Sequence, residues 1–229
     1  MTYFNYTETE IAHLKQKDPI LSLAIERIGP IKREINPNLF ESLVDTIIAQ
    51  QISSAAAKTV YNRLKEKVGE ITPIKIYELT TEDIQSCGMS MRKATYIKDV
   101  ALSSLLGTPS LSNLVSFEPY KEMGNKILNL DTLHSLTDEE IIKTLSDLNG
   151  IGKWTAQILL IFSLQRKNII AYDDLAIRRG MCILYGLDEI TKETFEHYKK
   201  IYSPYATIAS LYLWTISGEK VKFAKRTYG

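Results

Sequence analysis

Leu148-Asn149-Gly150-Ile151-Gly152-Lys153-Trp154-Thr155-Ala156 is the stretch on which the reading of this chain turns. It separates two helix-forming segments. Upstream, Ile141, Ile142, Leu145 and Leu148 share one helical stripe, and Thr137 with Glu140 three residues later forms a capping box, so a helix should begin near Asp138. Downstream, residues 155–164 (TAQILLIFSL) are apolar nearly all round, which predicts a helix buried on most sides that ends near Arg166 to Asn168. Between the two, Gly150 and Gly152 can both take positive φ, so the chain can turn tightly with Ile151 pointing inward as an anchor. The turn feeds a helix N-terminus, where main-chain N–H groups and the dipole favour an anion. Small residues also let a phosphate approach the backbone, a contact that holds DNA without reading its sequence. A Gly-x-Gly turn joins ordinary helix pairs too, and on its own it favours that plainer reading.

Outward from the hairpin the chain reads as all-α. Residues 39–50 place Leu39, Phe40, Leu43, Val44, Ile47 and Ile48 at helical spacing, and 56–68 do the same with Ala56, Val60, Leu64 and Val68. Residues 205–216 are apolar and long enough for a buried helix. Short breakers punctuate these segments at Gly29-Pro30, Asn36-Pro37, Thr72-Pro73, Gly107 to Pro109 and Asn149 to Gly152. None is a flexible linker, and there is no repeat, low-complexity tract or hairpin-type strand pair. Two helical lobes packed directly together fit the 229 residues. No run approaches the roughly 18 apolar residues of a membrane span. The opening MTYFNYTETE lacks a basic region followed by an apolar one, so a cytoplasmic or nucleoid location is expected.

Charge and metal chemistry narrow the classes. The net charge of +1 excludes a broad non-specific DNA coat but leaves room for one basic face. Cys87 and Cys182 are too few for an iron–sulfur cluster or an all-thiolate site, and His13, His134 and His197 lack metal-ligand spacing, so no metal is assigned. Asp173 and Asp174 follow the hairpin, where a second helix is expected to begin at one or the other; a carboxylate there can simply cap that helix.

The stretch LNGIGKWTA resembles the hairpin of the helix-hairpin-helix DNA glycosylases, in particular their 3-methyladenine DNA glycosylase II branch. The resemblance extends over about residues 10–216. It is strongest over 138–179, and takes in Gly88-Met89-Ser90-Met91-Arg92-Lys93-Ala94 and the helix from Ser203 to Trp214. It implies a six-helix barrel at about 38–166 carrying the hairpin, and a second lobe from 1–37 plus 167–229. The catalytic aspartate would sit at the lobe junction, open to an extruded nucleotide. That aspartate matches Asp174, with Asp173 left to cap or support it; Ala171 departs from a proline common in this branch.

The resemblance also assigns chemistry. Lyase-active relatives carry a Schiff-base lysine at the position of Trp154; Lys153 would point about 100° away on a helix. The chain is therefore expected to be monofunctional. Its substrate would be an alkylated purine of the 3-methyladenine or 7-methylguanine type in duplex DNA, bound by Trp154, Trp214 and Tyr172, since aromatic faces attract cationic bases. DNA contacts fall to Gly150, Gly152, Lys153 and Thr155, and to Gln51, which is either the wedge that fills the gap left by the flipped nucleotide or an exposed loop residue. Arg92 and Lys93 either lie near phosphates or are solvated charges. No cofactor is expected beyond a monovalent cation that hairpin carbonyls could hold, and the chain should act as a monomer. Three other readings stand open: a glycosylase for neutral lesions such as uracil or hypoxanthine, a non-catalytic DNA-binding module, and an unrelated helical scaffold.

Overall fold

The computed structural model describes residues 2–109 and 127–218; residues 110–126 of the first expected lobe and 219–229 of the second lie outside that description. Twelve α-helices are present among the described residues. Strand β1 (Thr2–Tyr3) precedes α1 (Glu8–Lys17) and α2 (Pro19–Ile28), and β2 (Glu34–Ile35) follows them. Then come α3 (Leu39–Ala49), α4 (Ser54–Val68), α5 (Pro73–Glu78), α6 (Thr81–Gln85), α7 (Met91–Gly107), α8 (Asp138–Ser146) and α9 (Lys153–Phe162). The chain continues through α10 (Leu175–Tyr185), α11 (Lys192–Tyr202) and α12 (Ala206–Gly218). The all-α class holds with one small exception. β1 and β2 pair antiparallel, Thr2 opposite Ile35, and two-residue strands are too short to show any alternation in sequence.

The helices fall into two units, Asn36–Leu164 and Met1–Ile35 with Gln165–Gly229. In the first, α3 is the central element. Its six apolar positions, Leu39, Phe40, Leu43, Val44, Ile47 and Ile48, are all buried, and it packs on α4, α7 and α9. Each such side chain contributes about 1.5–3 kcal/mol on burial, so this stripe alone accounts for much of the unit's cohesion. Asn38 caps the helix start by accepting the Glu41 N–H. In α4 the buried residues are Ala57, Val60 and Leu64, while Ala56 is exposed. The stripe read from sequence was thus one residue off at its first member, because an alanine face carries little hydrophobic contrast.

Helix α8 begins at Asp138 behind the Thr137–Glu140 capping box, as its sequence dictates. Helix α9 ends at Phe162 rather than near Arg166 to Asn168. Ser163 is its C-cap, with its N–H on the Leu159 carbonyl, and the chain turns away through Gln165 at a left-handed φ of 51°; no glycine or proline announces the stop.

In the second unit, Thr7 and Glu10 form a capping box on α1, and buried Asp18 caps α2 through the N–H groups of Ile20 and Leu21 at 2.9 Å each. Helices α10 and α12 press together at Gly180. A Cβ there would sit 2.2 Å from the Leu213 carbonyl oxygen, so only glycine allows this approach. The contact fixes the relation between the start of α10 and Trp214 on α12.

Candidate functional site

The hairpin joins α8 to α9 within the Asn36–Leu164 unit. Gly150 has φ +83°, and a Cβ on it would lie 2.4 Å from Cδ2 of Tyr96. Gly152 differs from the sequence expectation: its φ is −87° and it serves as the N-cap of α9, with nothing within 4 Å of where a Cβ would be. One glycine therefore makes the turn and the other leaves open space above a helix start. Ile151 is buried, as expected of the anchor. Lys153 and Trp154 are exposed in the first turn of α9, Trp154 at 42%, whereas Thr155 is turned inward with 7% exposure. With its side chain buried, what Thr155 presents at this helix start is its main-chain N–H, one of the first-turn amides.

The Gln50–Gln51 join lies beside this hairpin. Gln51 is exposed with φ +58°, a left-handed conformation that costs a non-glycine residue about 1–2 kcal/mol. Gln50, which the sequence reading left without a role, donates from Nε2 to the Gly150 carbonyl at 2.6 Å. Lys93 donates to the carbonyls of Ile48 and Gln50, at 2.7 Å each, and so satisfies the C-terminal end of α3. Lys93 is therefore a cap, not a phosphate ligand, and burial pushes its ammonium below the usual lysine range. Arg92 is exposed. Asn149 donates to Asp99 Oδ2 at 3.0 Å, and burial raises the Asp99 carboxyl above its ordinary value despite that hydrogen bond.

The hairpin can be tested for a monovalent cation. Its Leu148 carbonyl accepts the Ile151 N–H and its Gly150 carbonyl accepts Gln50, while the buried hydroxyl of Ser146, just before the turn, has no hydrogen-bond partner. Both of those carbonyls are therefore already engaged by N–H donors, which leaves the remaining hairpin carbonyls as the oxygens a monovalent cation would use. No group of three His, Cys, Asp or Glu side chains suited to a metal occurs among the described residues.

The carboxylate belongs to the other unit. The helix expected at Asp173 or Asp174 starts at Leu175, with Asp174 as its N-cap. Asp174 Oδ1 accepts the N–H groups of Ala176 at 2.9 Å and Ile177 at 3.0 Å, and Oδ2 accepts the indole N–H of Trp214 at 3.2 Å. Asp174 is 7% exposed, whereas Asp173 is exposed and is not the capping residue. The capping reading and the catalytic reading thus fall on one side chain: one oxygen anchors the helix and the other is aimed by Trp214. Forty residues separate the partners, so no local pattern could have revealed the pair.

Tyr172 packs edge-on against Phe195, with centroids 5.2 Å apart, and the Arg178 guanidinium lies 5.2 Å from its ring centre. Its ring is half-buried and held from two sides. No described helix is long and apolar enough to cross a membrane.

Comparison with known proteins places this geometry. The family model of HhH-GPD superfamily base excision DNA repair proteins matches residues 44–204. The DNA-3-methyladenine glycosylase 1 of Schizosaccharomyces pombe is 32% identical over 218 residues, spanning 92% of this chain and 87% of its own. A crystal structure of the DNA-3-methyladenine glycosidase of Bacillus halodurans is similar with a TM-score of 0.77 and 31% identity, over 95% of this chain and 93% of that one. The S. pombe 3-methyladenine DNA glycosylase in complex with abasic DNA is similar with a TM-score of 0.70 and 30% identity, over 90% and 95%.

Proposed function

We propose the following activity for the chain, which belongs to the HhH-GPD superfamily of base excision DNA repair proteins: it hydrolyses the N-glycosidic bond of alkylated purines in duplex DNA and leaves an abasic site. The observation that carries this reading is the buried Asp174 carboxylate, fixed by two main-chain N–H groups on one oxygen and by the Trp214 indole on the other.

Cleaving an N-glycosidic bond builds positive charge on the deoxyribose, as in other glycosyl transfers. A held carboxylate stabilises that charge and needs little rearrangement to do so. The same group accepts a proton from the attacking water. An alkylated purine already carries positive charge and leaves as a neutral base, so no separate general acid is required. The exposed indole of Trp154 offers a face on which a cationic base stacks. Trp214 and Tyr172 supply further aromatic surface beside Asp174. With tryptophan at position 154, where lyase-active relatives carry the Schiff-base lysine, water is the nucleophile and the strand is not cut.

The hairpin supplies the sequence-independent hold on the phosphate backbone, through the amides that follow Gly152 and the ammonium of Lys153. Gln51 is the residue that enters the gap left by the flipped nucleotide. A monovalent cation, when bound, would add positive charge at the phosphate-facing turn; carbonyls between Ser146 and Ile151 would hold it. The protein acts as a monomer on double-stranded DNA in the compartment that contains it.

A panel of duplexes tests the substrate class. Release of 3-methyladenine and 7-methylguanine, with no release of uracil or hypoxanthine and no strand nicking without alkali, is expected. Preferential release of a neutral base would replace the alkylpurine reading. Binding to abasic DNA without release of any base would leave a DNA-binding module.

A further inference from the structure

The contacts around the Gln50–Gln51 join share one geometric source. Lys93, Tyr96 and Asp99 lie three residues apart along α7, which places them on one face of that helix. Lys93 holds the carbonyls of Ile48 and Gln50 at the end of α3, Tyr96 lies under Gly150, and Asp99 accepts from Asn149. Gln50 closes the circuit by donating to the Gly150 carbonyl. The left-handed Gln51 follows immediately and is exposed. A strained, exposed residue persists only where its surroundings over-determine it, and here the carbonyls on its N-terminal side are tied down by an ammonium and its neighbour's side chain by a second turn.

We propose that Gln50 and Lys93 are positioning residues that lock the Gln51 turn to the 148–152 hairpin, so that the side chain entering the duplex and the amides holding its backbone keep one fixed spacing. Neither residue touches the reacting atoms. The inference rests on the proposed action on duplex DNA, and it adds that the depth and place of entry by Gln51 are set from the face of α7 that carries Lys93, Tyr96 and Asp99. Without the lock, the hairpin still binds phosphate, but Gln51 relaxes out of its left-handed conformation and no longer displaces the paired base reliably.

The test uses the full chain and a duplex with a tetrahydrofuran abasic analogue opposite 2-aminopurine, whose fluorescence reports unstacking of the opposite base whether or not any base is excised. Variants are Gln50→Leu and Lys93→Met, with Lys93→Arg as the conservative rescue and the thermal midpoint of each variant as the check on folding. Wild type is expected to raise the fluorescence on binding. Gln50→Leu and Lys93→Met should lose most of that rise at saturating protein, with affinity for the duplex kept within about threefold, and Lys93→Arg should restore it. On methylated duplex, excision by the two variants should fall at least tenfold for a lesion opposite its normal partner and less than threefold for one opposite an abasic analogue. Full fluorescence change in both variants, a wild type that gives none, or equal loss of excision on both substrates would overturn the proposal. A wild type that unstacks the opposite base yet excises nothing would leave the lock standing and remove the alkylpurine activity instead.

Discussion

Replacing Gly150 by alanine should damage the hairpin in a way that can be apportioned. The residue sits at φ +83°, and an added Cβ would come within 2.4 Å of the Tyr96 ring. A left-handed conformation costs an L-residue about 1–2 kcal/mol. Displacing a packed ring adds about 1–3 kcal/mol. The total loss is therefore about 2–5 kcal/mol, a large fraction of a domain's stability. Urea unfolding of four proteins checks this: wild type, Gly150→Ala, Tyr96→Ala and the double variant. In the Tyr96→Ala background the clash is gone, so Gly150→Ala should then cost only about 1–2 kcal/mol, the backbone part. Gly152→Ala is the control. With φ −87° and open space around it, it meets no clash, and the poorer N-cap alone should cost about 0.5–1.5 kcal/mol, unchanged by Tyr96→Ala. A Gly150→Ala variant within about 0.5 kcal/mol of wild type, or one equally destabilised with and without Tyr96, would refute the reasoning.

Gly180→Ala should destabilise the chain by about 3 kcal/mol in the same assay, since its Cβ would meet the Leu213 backbone at 2.2 Å and two helices would have to separate. Trp214→Phe keeps an aromatic ring but removes the indole N–H on Asp174; a hydrogen bond to a charged group is worth about 1.5–3 kcal/mol, so stability should fall by up to that amount, and single-turnover base release, measured well below the variant's thermal midpoint, should fall roughly 10–100-fold. Retention of the wild-type rate would remove the orienting role of Trp214. At the surface, the Lys67 and Thr80 hydrogen bonds hold the Asp83 carboxyl down at about 2 from its ordinary 3.8. A carboxylate depressed in the folded state contributes stability above its unfolded pKa and loses it as pH falls through the folded value. The midpoint difference between wild type and Asp83→Asn should accordingly shrink between pH 4 and pH 2, and a difference independent of pH there would contradict the assignment.

Parts of this molecule could be read directly from its sequence. The α3 stripe and the Thr137–Glu140 capping box are local signals, and both elements form where their residues say. The hairpin was visible for the same reason, as was an aspartate at the start of α10. What escaped reading depends on contacts between distant residues or on marginal local preferences. The end of α9 falls at Phe162 with Ser163 as its cap, where no glycine or proline signals a stop, and the first buried residue of α4 is Ala57 rather than Ala56 because alanines barely define a face. From sequence Lys93 reads as either a phosphate neighbour or a solvated charge, yet its ammonium closes the end of α3, forty-five residues from Ile48. The Asp174–Trp214 pair exists because α10 and α12 approach closely at Gly180. Only the packing of two helices brings that donor to that carboxylate.

The central claim, that the fixed Asp174 carboxylate drives base release, is tested most directly by single-turnover excision from methylated duplex DNA with wild type and Asp174→Asn. Asparagine is as good an N-cap as aspartate, so the variant should keep α10 and remain folded; it removes the charge and, with an amide nitrogen in place of Oδ2, the acceptor of the Trp214 indole N–H as well. Release of methylpurines by wild type, falling at least a hundredfold in Asp174→Asn while the variant still binds abasic DNA, is the expected result. Release at an undiminished rate by a folded Asp174→Asn protein would contradict the account and reduce Asp174 to a helix cap.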